Sequence, residues 1–259
     1  MSKIPVGIQL YTLREDCAKD FRATIRAVAE IGYQGVELAG DGGLSTKEMK
    51  MLLEENNLEA AGSHHGIDQL EGSLDQVIDY NLRIGNSRIV CPYLPQEFQD
   101  KGADGYRDAA RILDKVGARL RERGLSLSYH NHSFEFSGKE NGQYYLDLLL
   151  SLAAPENLLA ELDTYWVQHG GESPVGYLNR YAGRVALLHI KDMAGDANRS
   201  FAEIGSGILD WDGIFATAEK AGVKWLLVEQ DICPGPPIES ARKSFDYLAS
   251  RGLVEGRGW

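Results

Sequence analysis

Short apolar runs alternate along the chain with longer segments whose apolar residues recur at helical spacing. The runs are four to six residues long, and several are nearly continuous in apolar residues rather than alternating. This pattern is typical of strands in a parallel sheet that helices cover. The eight predicted strands are residues 5–10, 35–38, 58–63, 88–92, 125–130, 158–162, 185–190 and 225–229.

The segments between these runs predict amphipathic helices. In residues 21–32 the apolar positions fall on one helical face, and a glycine ends the segment. Residues 45–57 open with Ser45 and carry Glu48 three positions later, which is the pattern of a capping box. Further helices are predicted at residues 106–124, 210–222 and 236–252, the second of them with Asp210 as its N-cap.

Eight strand–helix alternations in 259 residues predict an α/β fold of the (β/α)8 TIM-barrel type. A doubly wound open sheet is the alternative. It would carry a glycine-rich phosphate loop after an early strand, and the stretch QLYTLRED after the first strand is not such a loop. No linker or change of composition divides the chain, so we interpret residues 1–259 as a single domain.

Composition and charge narrow the classes of partner. Hydrophobic residues make up 43% and charged residues 25%, as in ordinary globular enzymes. A net charge of -11 without any lysine or arginine run predicts that nucleic acid is not a partner. Three widely spaced cysteines argue against a disulfide framework. No signal-peptide core or membrane-spanning run is present in the sequence, so we expect a cytoplasmic protein without a membrane partner.

Polar side chains gather at the predicted carboxyl ends of the strands, where (β/α)8 barrels carry their active sites. His64 and His65 follow the third strand, His130 and His132 lie at the end of the fifth, and His189 lies in the seventh. Each of these histidines alone is more often a satisfied polar or core residue. Random scatter would not favour five of the six histidines at such positions, so we interpret the set as functional.

Three consecutive strand ends carry groups that bind cations, namely Asp163, His189 and Glu229. Across a barrel mouth about 15 Å wide such groups face one another. They would repel or stay unsatisfied unless a cation or a substrate met them. Mixed carboxylate and imidazole ligands suit a catalytic divalent metal ion. We favour Mn²⁺ or Mg²⁺ as the cofactor, with Zn²⁺ and Co²⁺ as alternatives.

Six stretches of the sequence together resemble one known family: GIQLYTLRE, GYQGVELAG, YHNHSFEF, LLAELDTYWVQHGG, RVALLHIKDM and IGSGILDW. They are similar to the xylose isomerase-like TIM barrels, a group of sugar phosphate isomerases/epimerases that includes inosose dehydratases. The resemblance covers nearly the whole chain, and YHNHSFEF and HIKD are its most specific parts. It implies one divalent cation held by Glu, Asp, His and Glu at the ends of strands five to eight. Asp163, His189 and Glu229 match the last three of these ligands.

The fifth strand departs from the family pattern, because His130, Asn131 and His132 stand where many members have Glu-Asn-His. Either His130 binds the metal directly, or Glu135 reaches back from the following loop. We expect Glu135 to be the ligand, since a third carboxylate better neutralises a hard dication. The alternative for Glu135 is a solvated loop carboxylate between two packed phenylalanines.

The resemblance implies an enzyme that isomerises or epimerises a keto-sugar or cyclitol through a metal-stabilised enediolate. Glu135 and Glu229 would form the acid/base pair, and His132 is a further group that can move protons. A dehydratase or lyase that eliminates from a 3-oxo-glycoside or an inosose is the alternative. The histidines favour it, because an imidazole can protonate a leaving oxygen near neutral pH.

Several further side chains are candidates for contact with the substrate. Lys191 would share a strand face with His189 and could neutralise a substrate oxyanion, or it could instead pair with Asp192 or Glu161 inside the barrel. Aromatic side chains at the barrel rim stack on sugars, although plain packing is the commoner role. The predicted substrate-binding residues are His64, His65, His130, Trp166, Lys191 and Tyr11.

Two other classes of protein share this pattern of strands and helices. An apurinic endonuclease-like DNA repair enzyme would use about three metals and more histidine and glutamate ligands, and the charge of -11 counts against it. A non-catalytic sugar-binding barrel would bind a ligand without turning it over.

The expected partner of the protein is a small-molecule sugar or cyclitol. Barrels of this kind often associate, so a homo-oligomer is also expected.

Overall fold

Eight parallel strands close into a barrel in the computed structural model, which describes residues 3–254. β1 pairs with β2 on one side and with β8 on the other, so the sheet has no free edge. The predicted (β/α)8 fold is confirmed. The strands are β1 Val6–Gln9, β2 Gly35–Leu38, β3 Glu59–His64, β4 Arg88–Cys91, β5 Ser126–His130, β6 Leu159–Asp163, β7 Val185–Ile190 and β8 Trp225–Val228.

Helices connect the strands and surround the barrel. They include every helix that the sequence pattern indicated, together with others after β3, β4, β5 and β6. The helices are α1 Arg14–Ile31, α2 Thr46–Glu55, α3 Ile67–Gly72, α4 Leu74–Ile84, α5 Gln96–Gln99, α6 Ala103–Glu122, α7 Tyr145–Leu152, α8 Thr164–His169, α9 Pro174–Arg180, α10 Trp211–Ala221 and α11 Pro237–Ser250. No helix among the described residues is long and apolar enough to cross a membrane.

Local capping explains where several helices begin. Ser45 accepts a hydrogen bond from the Glu48 amide while Glu48 accepts one from the Ser45 amide, so the predicted capping box is confirmed. Asp210 caps α10 by accepting from the Gly213 amide, also as predicted. α1 is kinked at Asp20, whose side chain accepts from the amide three residues later. The part of α1 after this kink is the helix that the apolar spacing predicted.

Inside the barrel, the side chains near the amino ends of the strands, its lower end, are apolar, and those near the carboxyl ends are polar. Five side chains from β3, β4, β7 and β8 form its apolar filling, namely Ala61, Val90, Leu187, Trp225 and Leu227. Because side chains alternate between the two faces of a strand, the next inward positions of β7 and β8 are His189 and Glu229. The polar groups at the strand ends therefore rest directly on this apolar filling, which seals the lower end of the barrel.

Candidate active site

A cavity of about 760 Å³ opens at the carboxyl ends of the barrel strands. This is the end at which the sequence placed the candidate functional residues. Six of the predicted site residues line the cavity, namely Tyr11, His64, His130, His132, Trp166 and Glu229. Further lining residues, which the sequence reasoning did not select, include Arg14, Tyr93, Phe201, Asp231 and Ile232.

Four buried side chains converge beside this cavity: His130, Asp163, His189 and Glu229. Each offers one nitrogen or oxygen atom, and the four atoms lie within 4.8 Å of one another. The strand register brings them together, because Asp163 on β6 is directly opposite His189 on β7. The structure thus unites the three ligands that strands six, seven and eight were expected to supply. His130 provides the fourth member of the group.

The donor atoms of this group are under-used by the rest of the protein. Among the described residues, Asp163 Oδ2 and His130 Nδ1 are buried without a hydrogen-bond partner. His130 Nδ1 lies 3.2 Å from Glu161 Oε2, but the angle is not that of a hydrogen bond. Buried polar atoms nearly always have a hydrogen-bond partner. Two unpaired atoms that can act as metal ligands, in one small group, therefore fit a divalent cation.

Glu135 is not part of this group, contrary to our expectation for the fourth ligand. It lies in a short 3-10 turn, Phe134–Phe136, and is fully buried. Its carboxylate accepts from the Tyr129 hydroxyl at 2.7 Å and from the His132 amide at 2.8 Å. Tyr129 and His130 are consecutive and face opposite sides of β5, so Glu135 follows Tyr129 away from the barrel interior. Burial raises the pKa of Glu135 to about 7.

Lys191 is also placed differently from the expectation. Only 1% of it is exposed, and its Nζ donates to Glu229 and Asp231 at 2.9 Å each. Its Nζ also lies 3.5 Å from Asp163 Oδ2. The partners that we had considered, Asp192 and Glu161, are therefore wrong. The carboxylates around Lys191 raise its pKa above the usual value, so it stays a cation beside the proposed ligands.

The two histidines at the end of β3 have different surroundings. His64 Nε2 contacts two buried carboxylates, Glu37 at 3.1 Å and Glu161 at 3.2 Å. Burial alone would lower the pKa of His64, but these two carboxylates raise it to about 10. His65 lies in a neighbouring cavity of about 500 Å³, where its ring nitrogens contact Ser63, Asn81 and Gln69. The substrate role of His65 stays a prediction.

His132 and Trp166 form one wall of the main cavity. The His132 ring stacks on Phe134 and lies 5.4 Å from the Trp166 ring, measured between centroids. Burial and the charge of Lys191 lower the pKa of His132 to about 3, so its ring is neutral near neutral pH. Tyr11 lies at the rim and is 46% exposed. The positions of Trp166 and Tyr11 fit the substrate-contact role that the sequence suggested for them.

Glu37 and Glu161 were not among the predicted site residues. Both are fully buried, and both contact His189 Nε2, Glu37 at 2.7 Å and Glu161 at 3.2 Å. A signal for Glu161 was available, since it stands two positions before Asp163 and so shares its strand face. Glu37 is the third residue of the four-residue strand Gly35–Leu38, which is otherwise apolar, and this is a weaker signal.

Burial disfavours the ionised form of two carboxylates at the site. Burial raises the pKa of Asp163 to about 7, although the positive charge of Lys191 opposes the shift. Burial also raises the pKa of Asp231, against the same opposing charge. A dication beside such a carboxylate would stabilise its ionised form, because a nearby opposite charge lowers the pKa. The cluster is therefore able to hold a metal ion at the wall of a substrate-sized cavity.

Comparison with known proteins agrees with the barrel fold. The family model for the xylose isomerase-like TIM barrel matches residues 25–251. An inosose dehydratase of Lacticaseibacillus casei is 25% identical over 266 aligned positions, which cover 88% of each chain. An inosose dehydratase of Mesomycoplasma hyopneumoniae strain J is 29% identical, covering 89% of this chain and 88% of that relative.

A solved structure shows the same fold over almost the whole chain. A sugar phosphate isomerase/epimerase from Parabacteroides distasonis superposes with a TM-score of 0.84 at 24% sequence identity. The superposition covers 98% of this chain and 96% of that one. Because the family model matches most of the chain, the protein belongs to the xylose isomerase-like TIM barrel family and is an enzyme of that superfamily.

Proposed function

We propose that this protein is a divalent-metal-dependent dehydratase that removes water from a cyclic keto-polyol, such as a keto-sugar or an inosose. The observation that carries the proposal is the convergence of His130, Asp163, His189 and Glu229 beside a cavity that is also lined by His132 and His64. A metal group and two further imidazoles thus border the same space. The names of the relatives support the choice of substrate class.

His130, Asp163, His189 and Glu229 would hold the cation. When bound, it would polarise a substrate carbonyl and make the neighbouring C–H more acidic. Two imidazoles beside two carboxylates favour Mn²⁺, Co²⁺ or Zn²⁺ over Mg²⁺, because Mg²⁺ prefers oxygen ligands. His130 would be the ligand from strand five, in place of Glu135.

Two histidines are placed to move the protons of an elimination. His132 lines the cavity with a neutral ring and can accept the proton from the carbon beside the carbonyl. His64 lines the same cavity and can donate a proton to the departing hydroxyl, which leaves as water. One proton is taken from carbon and one is given to oxygen, so the step balances.

Epimerisation is the second candidate, because two carboxylates, Glu229 and Asp231, line the cavity. An epimerase needs proton-transfer groups on opposite faces of the substrate carbon. Glu135 was the expected partner of Glu229 in that role, and it is turned towards Tyr129 instead. Glu229 and Asp231 both bind Lys191, which ties them to one side of the site.

The function is tested by following an inosose and a 3-oxo-glucoside in D₂O by NMR, with and without added Mn²⁺. Loss of water from the substrate in the metal-loaded sample supports the dehydratase. Exchange of deuterium into the carbon beside the carbonyl, with change of configuration and without loss of water, would favour the epimerase. No metal-dependent change in any candidate would leave a sugar-binding barrel as the better description.

Replacing His132 by glutamine is expected to lower kcat by about 10² to 10⁴-fold while KM changes little, because the proposed proton acceptor is removed. The measurement is steady-state kinetics of the metal-loaded variant. His169→Gln is the matched control, since His169 is not among the residues that line the cavity. A His132→Gln variant with unchanged kcat would contradict the role of this ring.

A pair of variants separates the two candidates for the strand-five ligand. His130→Ala is expected to weaken metal binding by about 100-fold or more, because a ligand is lost. Glu135→Gln is expected to leave the affinity unchanged, since glutamine can accept from the His132 amide and donate to the Tyr129 oxygen. Isothermal titration with Mn²⁺ measures both. The reverse result would return Glu135 to the ligand set.

A further inference from the structure

Two fully buried carboxylates lie at the floor of the site without a role in the proposed reaction. Glu37 reaches the centre of the barrel from β2, and Glu161 reaches it from β6. Gly62 makes room for Glu37, because a Cβ at that position would lie 2.5 Å from Glu37 Oε1. Burying an ionised carboxylate in a barrel interior costs desolvation free energy. The groups that compensate this cost therefore indicate the role of the carboxylate.

Both carboxylates contact imidazoles of the site, and Glu37 also accepts a hydrogen bond from Gln9 Nε2 at 2.8 Å. Glu161 Oε2 lies 3.2 Å from each of three ring nitrogens, those of His64, His130 and His189. Glu37 Oε2 lies 2.7 Å from His189 Nε2 and 3.1 Å from His64 Nε2. Two oxygen atoms therefore contact three of the histidines around the proposed metal.

These contacts fix the orientation of the His189 ring. Its Nε2 faces Glu37 and Glu161, while its Nδ1 faces Glu229 at 3.0 Å, on the side of the proposed metal ligands. An ionised carboxylate only accepts hydrogen bonds, so Nε2 must carry a proton. Nδ1 faces the Glu229 carboxylate in the same way, so a metal would take the place of the Nδ1 proton while the proton on Nε2 stays between the ring and Glu37.

We propose that Glu37 and Glu161 are positioning residues that hold the His189 and His64 rings, with His189 Nδ1 turned towards the metal. The inference rests on the proposed function, since it assumes that a cation binds to His189. Carboxylates that hold a metal-binding histidine in this way raise the basicity of the ligand, and their loss weakens metal binding by about 10 to 100-fold.

The same atoms could instead hold a second cation, because donor atoms of Glu37, His64, Glu161 and His189 lie within 4.8 Å of one another. The shortest of these separations favours a hydrogen bond. In a tetrahedral zinc site with bonds of about 2.0–2.1 Å the ligand atoms are about 3.3 Å apart. His189 Nε2 and Glu37 Oε2 are 2.7 Å apart, which is a charge-assisted hydrogen bond.

The experiment compares Glu37→Gln and Glu161→Gln with the wild-type protein. Isothermal titration with Mn²⁺ gives the affinity and the number of bound ions, and we expect one ion with about 10 to 100-fold weaker binding in each variant. Glu203→Gln is the control, since Glu203 is a buried carboxylate that pairs with Ser240 and Lys243. It should bind Mn²⁺ like the wild type.

A second readout does not need metal. Nitrogen-15 NMR of the metal-free protein should show His189 with a hydrogen-bonded proton on Nε2, and this proton signal should move in Glu37→Gln but not in Glu203→Gln. An unprotonated Nε2 would overturn the inference even if no metal bound, which separates its failure from that of the proposed metal site.

Two titration results would also overturn the inference. Unchanged Mn²⁺ affinity in both variants would show that the carboxylates do not position a ligand. Two bound ions in the wild type, with one lost in each variant, would make Glu37 and Glu161 ligands of a second cation. Thermal melting of every variant, compared with Glu203→Gln, identifies any loss of affinity that comes from unfolding.

Discussion

Replacing Asp163 by asparagine is expected to weaken divalent-cation binding by about 100-fold or more and to lower kcat/KM to a similar or greater extent. Asp163 is fully buried. Its Oδ1 accepts from the Trp166 amide at 2.8 Å and so caps α8, while its Oδ2 has no hydrogen-bond partner among the described residues. The capping oxygen and the proposed ligand oxygen are thus different atoms.

Asparagine separates these two tasks. Its amide oxygen can still accept from the Trp166 amide, so the start of α8 should be kept. The negative charge is lost, and a dication then has one carboxylate fewer to neutralise it. Elemental analysis of the purified variant and titration with Mn²⁺ measure the effect.

Asp147→Asn is the matched control, because Asp147 is a buried carboxylate that binds Tyr177 and Arg180 in the helical layer. It should retain the metal. If Asp163→Asn also binds the cation with wild-type affinity, the group formed by His130, Asp163, His189 and Glu229 is not the metal site.

The second large effect is expected for stability. Asp192→Ala should lower the free energy of unfolding by about 3–5 kcal/mol, because it leaves several buried donors unsatisfied at once. Asp192 is fully buried two residues after β7, and its carboxylate accepts five hydrogen bonds from the following loop and the first residue of α10. The donors are the amides of Met193, Gly205, Gly207 and Leu209 and the indole Nε1 of Trp211.

The loop is built around this carboxylate. A Cβ at Gly207 would lie 2.2 Å from Asp192 Oδ1, so only glycine allows the backbone to approach so closely. Urea unfolding of Asp192→Ala measures the change. Asp212→Ala is the control, since the Asp212 side chain is 76% exposed and pairs with Arg251 at the surface. A loss below about 1 kcal/mol for Asp192→Ala would show that water replaces the carboxylate.

Asp192 and Lys191 also illustrate why neighbours in sequence can have separate roles. The HIKD stretch carries both, and sequence spacing suggested that they could form a pair. The two side chains leave the chain in opposite directions, as consecutive residues of an extended segment do. Lys191 turns inward to Glu229 and Asp231, and Asp192 turns outward to the loop around Gly205.

Periodicity was sufficient to predict the barrel and three members of the candidate metal group. Runs of apolar residues marked the strands, and the rule that chemistry lies at the carboxyl ends of barrel strands selected Asp163, His189 and Glu229. Local pairs such as Ser45 and Glu48 were equally readable, because both partners lie within one helical turn. Interactions that depend on regular spacing within one segment can be predicted from the sequence alone.

The role of Glu135 depended on the tertiary structure. It lies in an irregular turn, where no period fixes the direction of a side chain, and the hydroxyl of Tyr129 draws it away from the barrel interior. The same is true of Glu37, which meets His189 at 2.7 Å although 152 positions separate them in sequence. Sequence by itself determined which residues stand at the strand ends and on which face. Only closure of the barrel decided which of them meet, because the distances across it depend on the positions of all eight strands.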